Sequence, residues 1–294
     1  MDGRAVAPGA GTVLNALASG TGSAFAIDID TTATVELHPE SPIDGHIVDV
    51  PDGDTTLIET CLERTLERYG TEALLERDID PERVGGQVTT ESTIPLAAGL
   101  KSSSAAANAT VLATLDALDL AEDVDRLEAC RLGVEAAREA GVTVTGAFDD
   151  ASASMLGGVT ITDNTEDELL AREAVDWHVA VYTPPVQAFS ADADVDACRK
   201  IADTAAVVAE LALDGRYTEA MTINGFAFCG ALGCSPEPML EALPDAAGVS
   251  LSGTGPSYVA VGDQDALEGV YERWAARPGT ARLLETRTDG ARTG

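Results

Sequence analysis

Apolar residues recur along this chain with two periods. Between residues 54 and 69, Leu57, Cys61, Leu62, Thr65, Leu66 and Tyr69 return at intervals of three and four, the spacing of one helical face. Gly70 is expected to stop that run. A second helix is predicted over 123–140, with Leu127, Cys130, Val134 and Ala137 on one face and Gly141 ending it. Residues 95–118 read as a loop followed by a long Ala-rich helix, and 195–213, 216–232 and 264–276 as further helices. Period-two or β-branched runs predict strands. Residues 23–29 and 31–37 read as a pair, joined by 83–92, 160–163, 178–186 and a closing strand within 281–290. Residues 248–262 read as strand, Gly-rich turn, strand, and 142–158 as a short strand, an acidic turn and a small-residue segment. Strands and helices mix without regular βα alternation, so the predicted class is α+β. The second half opens near residue 160, dividing the chain into units 1–160 and 161–294.

Composition changes this picture in one respect. An apolar share of 45% is enough for a sizeable core. Fifty acidic residues, however, face eighteen Lys and Arg, a net charge of −32, and only Lys101 and Lys200 are lysines. Such a field argues against binding nucleic acid through a broad basic face and against docking on anionic lipid. It resembles the composition of halophilic proteins, in which molar salt screens self-repulsion within ~3 Å. The acidity therefore speaks for solubility more than for a substrate. The five cysteines (Cys61, Cys130, Cys198, Cys229, Cys234) contain no CxxC pair, so buried reduced thiols are expected rather than a disulfide framework or zinc site. No run approaches 18 apolar residues, and a soluble cytoplasmic protein with no membrane partner is expected.

Several common chemistries are excluded. Neither lysine follows a glycine, so there is no Walker A loop; the Gly9-Ala10-Gly11 and Gly20-Thr21-Gly22 pairs lack a third glycine. There is no GxSxG elbow and no HExxH. The strongest local pattern is Pro95-Leu96-Ala97-Ala98-Gly99-Leu100-Lys101-Ser102-Ser103-Ser104-Ala105. Gly99 permits a tight turn, and the serines open a helix whose free N–H groups and dipole favour an anion. An ordinary serine N-cap explains the same spacing equally well. Two further segments stand out. Leu251 to Ser257 is a Gly-rich turn, and Thr143 to Ala151 carries the adjacent carboxylates Asp149 and Asp150. A tight hairpin and a solvated turn are their bland alternatives.

Taken in order, these segments resemble the GHMP kinase superfamily. Its central motif is met by Pro95, Gly99, Leu100, Ser102, Ser103 and Ala105, its third by residues 251–257, and its first by Gly9 to Asn15. Stretches 9–29, 94–109, 141–154 and 220–233 are most similar to the archaeal shikimate kinases of that superfamily. The resemblance implies a two-domain fold: an N-terminal domain like domain 2 of ribosomal protein S5, and an α+β C-terminal domain. It implies phosphorylation of the shikimate 3-hydroxyl, with ATP and Mg²⁺. Residues Pro95 to Ala105 would cradle the phosphates, and Ser103 or a neighbouring serine would hold Mg²⁺, with Glu135 as a second ligand. Asp149 would contact the substrate hydroxyl, with Asp150 the competing assignment. The substrate carboxylate would want a cation; Lys101 and Arg4 are candidates between which the sequence does not choose, and an N–H nest or helix N-terminus could serve instead.

Overall fold

A computed structural model describes residues 1–48, 50–143, 146–186, 188 and 193–294. The chain opens with β1 (Asp2–Leu14) and β2 (Thr21–Pro39), two long antiparallel strands. Next come β3 (Ile43–Ile47) and α1 (Thr56–Thr65), which passes through a π-helical turn at Leu66–Gly70 into α2 (Thr71–Leu75). β4 (Val84–Ser92), α3 (Ser102–Ala117), α4 (Arg126–Glu139) and α5 (Phe148–Leu156) follow. β5 (Val159–Asp163), β6 (Glu168–Glu173) and β7 (His178–Thr183) lead into α6 (Val195–Arg199), α7 (Ala202–Leu213), α8 (Tyr217–Leu232) and α9 (Glu237–Ala242). The chain closes with β8 (Gly248–Leu251), β9 (Tyr258–Gly262), α10 (Gln264–Ala275), β10 (Thr280–Glu285) and β11 (Arg292–Thr293).

Two sheets organise these elements. The first runs β11-β1-β2-β4-β3, with β5 on the early half of β2 and β6 beyond it; the second runs β10-β7-β9-β8. Mixed α and β content in two separate sheets bears out the α+β expectation. β5 and β6 lie in the first sheet and β11 returns to it, so a division between 160 and 161 passes through a strand.

Sequence and structure differ at instructive places. Residues 23–29 and 31–37 are not a pair but two halves of β2. No turn residues separate them, and the register against β1 slips by two at Asp28 and Ile29. The halves take different partners: Thr21–Phe25 pairs with β5 and Thr31–Pro39 with β4. β1, rich in Ala, Gly and Pro, carried no strand signal. Its composition serves close packing instead, because a side chain at Gly3 would collide with the backbone of Ala113 and Ala117 in α3. Gly70 keeps helical dihedrals and does not stop the first helix. The run 195–213 breaks at Lys200 and Ile201 into α6 and α7. Of the short strand expected near 141–147, Val144 and Thr145 lie outside the described residues. The acidic turn after it is the first turn of α5. There Gly146 (φ 88°) and Ala147 (φ 52°) reverse the chain, and Phe148, Ala151 and Met155 form a buried helical face.

α3 is the axis of the first lobe. Ala105, Ala107 and every residue from Asn108 to Leu115 are buried, which small side chains allow because strands and helices approach from all sides. In the second lobe Trp274 of α10 is fully buried and donates its indole N–H to Pro238 O at 3.0 Å. All five cysteines are free thiols, and four are buried. Among the described residues no helix is long and apolar enough to cross a membrane. Trp274→Ala is expected to cost about 3–5 kcal/mol, measured by denaturant unfolding in molar salt, because it empties the largest fully buried position and orphans a carbonyl.

Candidate active site

The end of β1, the loop before α3 and the turn between β8 and β9 lie far apart in sequence and meet in the fold. Their meeting is a matter of hydrogen-bond acceptors. Five consecutive carbonyls of the loop are each taken by a donor, four from elsewhere in the chain and the fifth from the first turn of α3. Ala97 O accepts from Ala188 N–H (3.0 Å), Ala98 O from Ser257 N–H (3.2 Å), and Gly99 O from Ser252 Oγ (2.8 Å). Leu100 O accepts from Ala10 N–H (3.3 Å), and Lys101 O from Ala105 N–H (3.0 Å). Gly99 (φ 77°) is obligatory here, since a Cβ would run into the carbonyl oxygens of Ser252 and Gly255. Ala97 (φ 51°) and Lys101 (φ 67°) take the same left-handed conformation without that excuse.

With its acceptors occupied, the segment offers donors. The α3 ladder begins only at Ala105 N–H, so the amides of Ser102, Ser103 and Ser104 form the open end of a helix of 16 residues. Ser103 is exposed there. Pro95 and Leu96 lead into the loop, Leu96 on its surface, while Ala98, Leu100 and Ala105 are buried beneath it.

The third motif is held from below. Gly253 N–H donates to Thr12 Oγ1 (2.8 Å), and Asn15 Nδ2 donates to Gly253 O (2.9 Å). Asn15 N–H donates in turn to Asn224 Oδ1 (3.0 Å), whose Nδ2 reaches Ser250 Oγ (3.1 Å). Asn224 of α8 is thus a buried hub that sequence reasoning passed over. The signal was an amide within the apolar run 220–233.

Asp149 and Asp150 open α5. Asp149 is 5% exposed and lies against Gly22 of β2, where any side chain would strike its carboxylate. Asn164, also unremarked in the sequence, brackets it. Asn164 Nδ2 donates to Asp149 Oδ1 (2.7 Å), and its Oδ1 accepts from Asp149 N–H (3.1 Å) and Thr162 Oγ1 (2.7 Å). Burial first, then the charge of Asp150, pushes the Asp149 carboxyl up to about 7; the Lys101 ammonium and the Asn164 bond pull the other way. Lys101 Nζ lies 2.8 Å from Asp150 Oδ1, with the lysine side chain 5% exposed. The contact is an ion pair by distance, outside hydrogen-bond geometry. The same ammonium would touch a Cβ on Gly253 at 3.0 Å. It therefore stands where the phosphate-type loop, the third motif and the carboxylate pair converge.

Two expected residues are elsewhere. Glu135 is 55% exposed on α4 and pairs with Arg68 at 3.3 Å, because its side of the helix faces solvent. Arg4 lies eight positions before Thr12 on β1, about 26 Å away along an extended strand, and its N–H bonds Asp116 Oδ2. Among the described residues no cluster of three or more His, Cys, Asp or Glu forms a metal cage.

Residues 56–158 match the family of GHMP kinases N terminal domains. All 294 residues are 62% identical to the full length of the shikimate kinase of Halobacterium salinarum. Over 97% of this chain and 94% of the other, identity to the Methanosarcina mazei shikimate kinase is 51%. The chain belongs to the shikimate kinase family. Solved structures place this family's fold beside those of other small-molecule kinases. The Cytophaga hutchinsonii homoserine kinase superposes with a TM-score of 0.74 at 17% identity, covering 100% and 97% of the two chains. The Methanococcus jannaschii mevalonate kinase gives 0.75 at 16%, covering 97% and 98%. For a shikimate kinase the raised Asp149 has a stability cost. Between 3.8 and about 7 the folded chain keeps a proton that the unfolded chain has lost, so stability falls as pH rises through that window. Asp149→Asn is expected to unfold about 2–5 °C higher than wild type at pH 8 and near wild type at pH 4, measured by thermal unfolding at constant molar salt.

Proposed function

We propose that this protein transfers the γ-phosphoryl group of ATP to the 3-hydroxyl of shikimate, giving ADP and shikimate 3-phosphate on the route to chorismate and the aromatic amino acids. The observation that carries the reading is the convergence of a donor-presenting helix terminus and a carboxylate pair on one buried lysine. Phosphoryl transfer needs positioning and charge stabilisation more than covalent chemistry, and those are the functions such an arrangement supplies. The choice of shikimate rests on the full-length relatives.

In this reading the loop Pro95 to Ala105 holds the phosphates through the amides at the start of α3, with Gly99 allowing the close approach. Asp149 accepts the proton of the substrate hydroxyl. A base near neutrality suits that task, and Asn164 fixes its orientation. The donor set suits a Mg²⁺ carried on the nucleotide. Such an ion keeps most of its shell as water and phosphate oxygen, and the exposed Ser103 hydroxyl at the head of α3 would supply one protein ligand. When bound, the ion neutralises phosphate charge. The outward-facing Glu135 has no part in this scheme.

With Mg-ATP in molar salt, the purified protein is expected to release ADP with shikimate and to form shikimate 3-phosphate, while homoserine and mevalonate give only background; no product from shikimate would refute the assignment. Asp149→Asn is expected to lower kcat by about 10²–10⁴-fold with the KM for ATP changed less than about threefold. A kcat within twofold of wild type would remove Asp149 from the chemistry. Ser103→Ala is expected to raise the Mg²⁺ concentration needed for half-maximal rate, read from a Mg²⁺ titration at fixed ATP; an unaltered titration would assign the ion to Ser102 or Ser104.

A further inference from the structure

Phosphoryl transfer as described leaves the Lys101–Asp150 ion pair without a task of its own, yet the pair is built at some expense. Lys101 holds φ 67°, a conformation that glycine adopts freely and that is strained for an L-residue. Its side chain is nearly buried, in a chain with only one other lysine. From that strained position the ammonium meets Asp150 Oδ1 at 2.8 Å on one side and abuts Gly253 of the third motif on the other, one residue before the open helix terminus of α3.

The geometry defines a competition. Phosphate oxygens held at the head of α3 would compete with the Asp150 carboxylate for a single ammonium. Resting on the kinase reading above, we propose that nucleotide binding is coupled to proton uptake at Asp149 through Lys101, which the phosphates draw away from Asp150. The proton comes from solvent and returns to it when the nucleotide leaves. Other charged groups near α5 do not substitute for Lys101. Arg138 of α4 is held by the Asp167 carboxylate, and Arg131 of α4 by the Asp167 carbonyl and the Phe148 ring. Asp163 of β5 caps Thr165. The charges that act on Asp149 are those of Asp150 and Lys101. Lys101 is thus a positioning residue that acts through Asp150: it makes Asp149 a stronger base once the phosphates are in place.

Calorimetric titration with Mg-ATP, without acceptor alcohol, at pH 7.5 in two buffers of different ionisation enthalpy reads proton uptake directly. Wild type is expected to take up on the order of half a proton per nucleotide. Asp150→Asn is expected to bind nucleotide with that uptake at least halved, and Lys101→Gly, which suits the left-handed backbone, to lose the uptake and weaken nucleotide binding together. The low-pH limb of kcat is expected to move by more than about half a pH unit in Asp150→Asn. Uptake that is absent from wild type despite visible binding, or unchanged in Asp150→Asn, would overturn the coupling. Absence of any nucleotide binding by wild type would instead overturn the kinase reading on which it rests.

Discussion

The site depends on one constraint: every carbonyl from Ala97 to Lys101 has a donor inside the protein. A backbone segment carries as many donors as acceptors, and burying either unpaired is costly. Directing five consecutive acceptors inward fixes the loop against β1, the β8–β9 turn and α3 together, and makes the head of α3 a surface of donors. Gly99 and the left-handed residues beside it are the conformational conditions for this arrangement. In a chain of charge −32 such a surface would attract an anion with little net positive charge, since oriented amides act without altering the formal count.

The same economy governs the carboxylates. Asp149 is held by a neutral amide, Asn164, and by close packing on Gly22, and Asp150 by one lysine. Elsewhere acidic side chains lie largely on the surface, many paired with arginines in exposed positions where each pair contributes little. The acidity of the shell and the chemistry of the interior are therefore separate problems with separate solutions, joined only where Lys101 meets Asp150.

Much of this was legible in the sequence, and the failures share a cause. The motif Pro95 to Ala105, the β8–β9 turn and the Asp149–Asp150 pair were visible because local chemistry marks them: glycine at a tight turn, serines at a helix start, adjacent carboxylates. Most helices were found from their apolar spacing. β1 was missed because its Ala, Gly and Pro residues answer to packing against α3 rather than to strand propensity. β2 was split because a bulge has no turn residues to announce it. Asn164 and Asn224 were passed over because a buried amide is defined by its partners, and those lie 15 and 209 residues away. For Glu135, spacing places the residue on a helix but does not say which partner it meets, and here that partner is Arg68.

The hydrogen bond from Asn15 to Gly253 spans 238 residues, and that from Gly253 to Thr12 spans 241. Contacts of such separation tie the start of the chain to its last third, and each repays a loop-closure entropy that local contacts avoid. Both sheets must be in place before the third motif can settle beneath the loop. The donor-presenting head of α3 is backed by a turn from the second sheet, so a partly folded chain with well-formed helices and strands still lacks the full arrangement. Completing the arrangement requires the whole topology rather than either sheet alone.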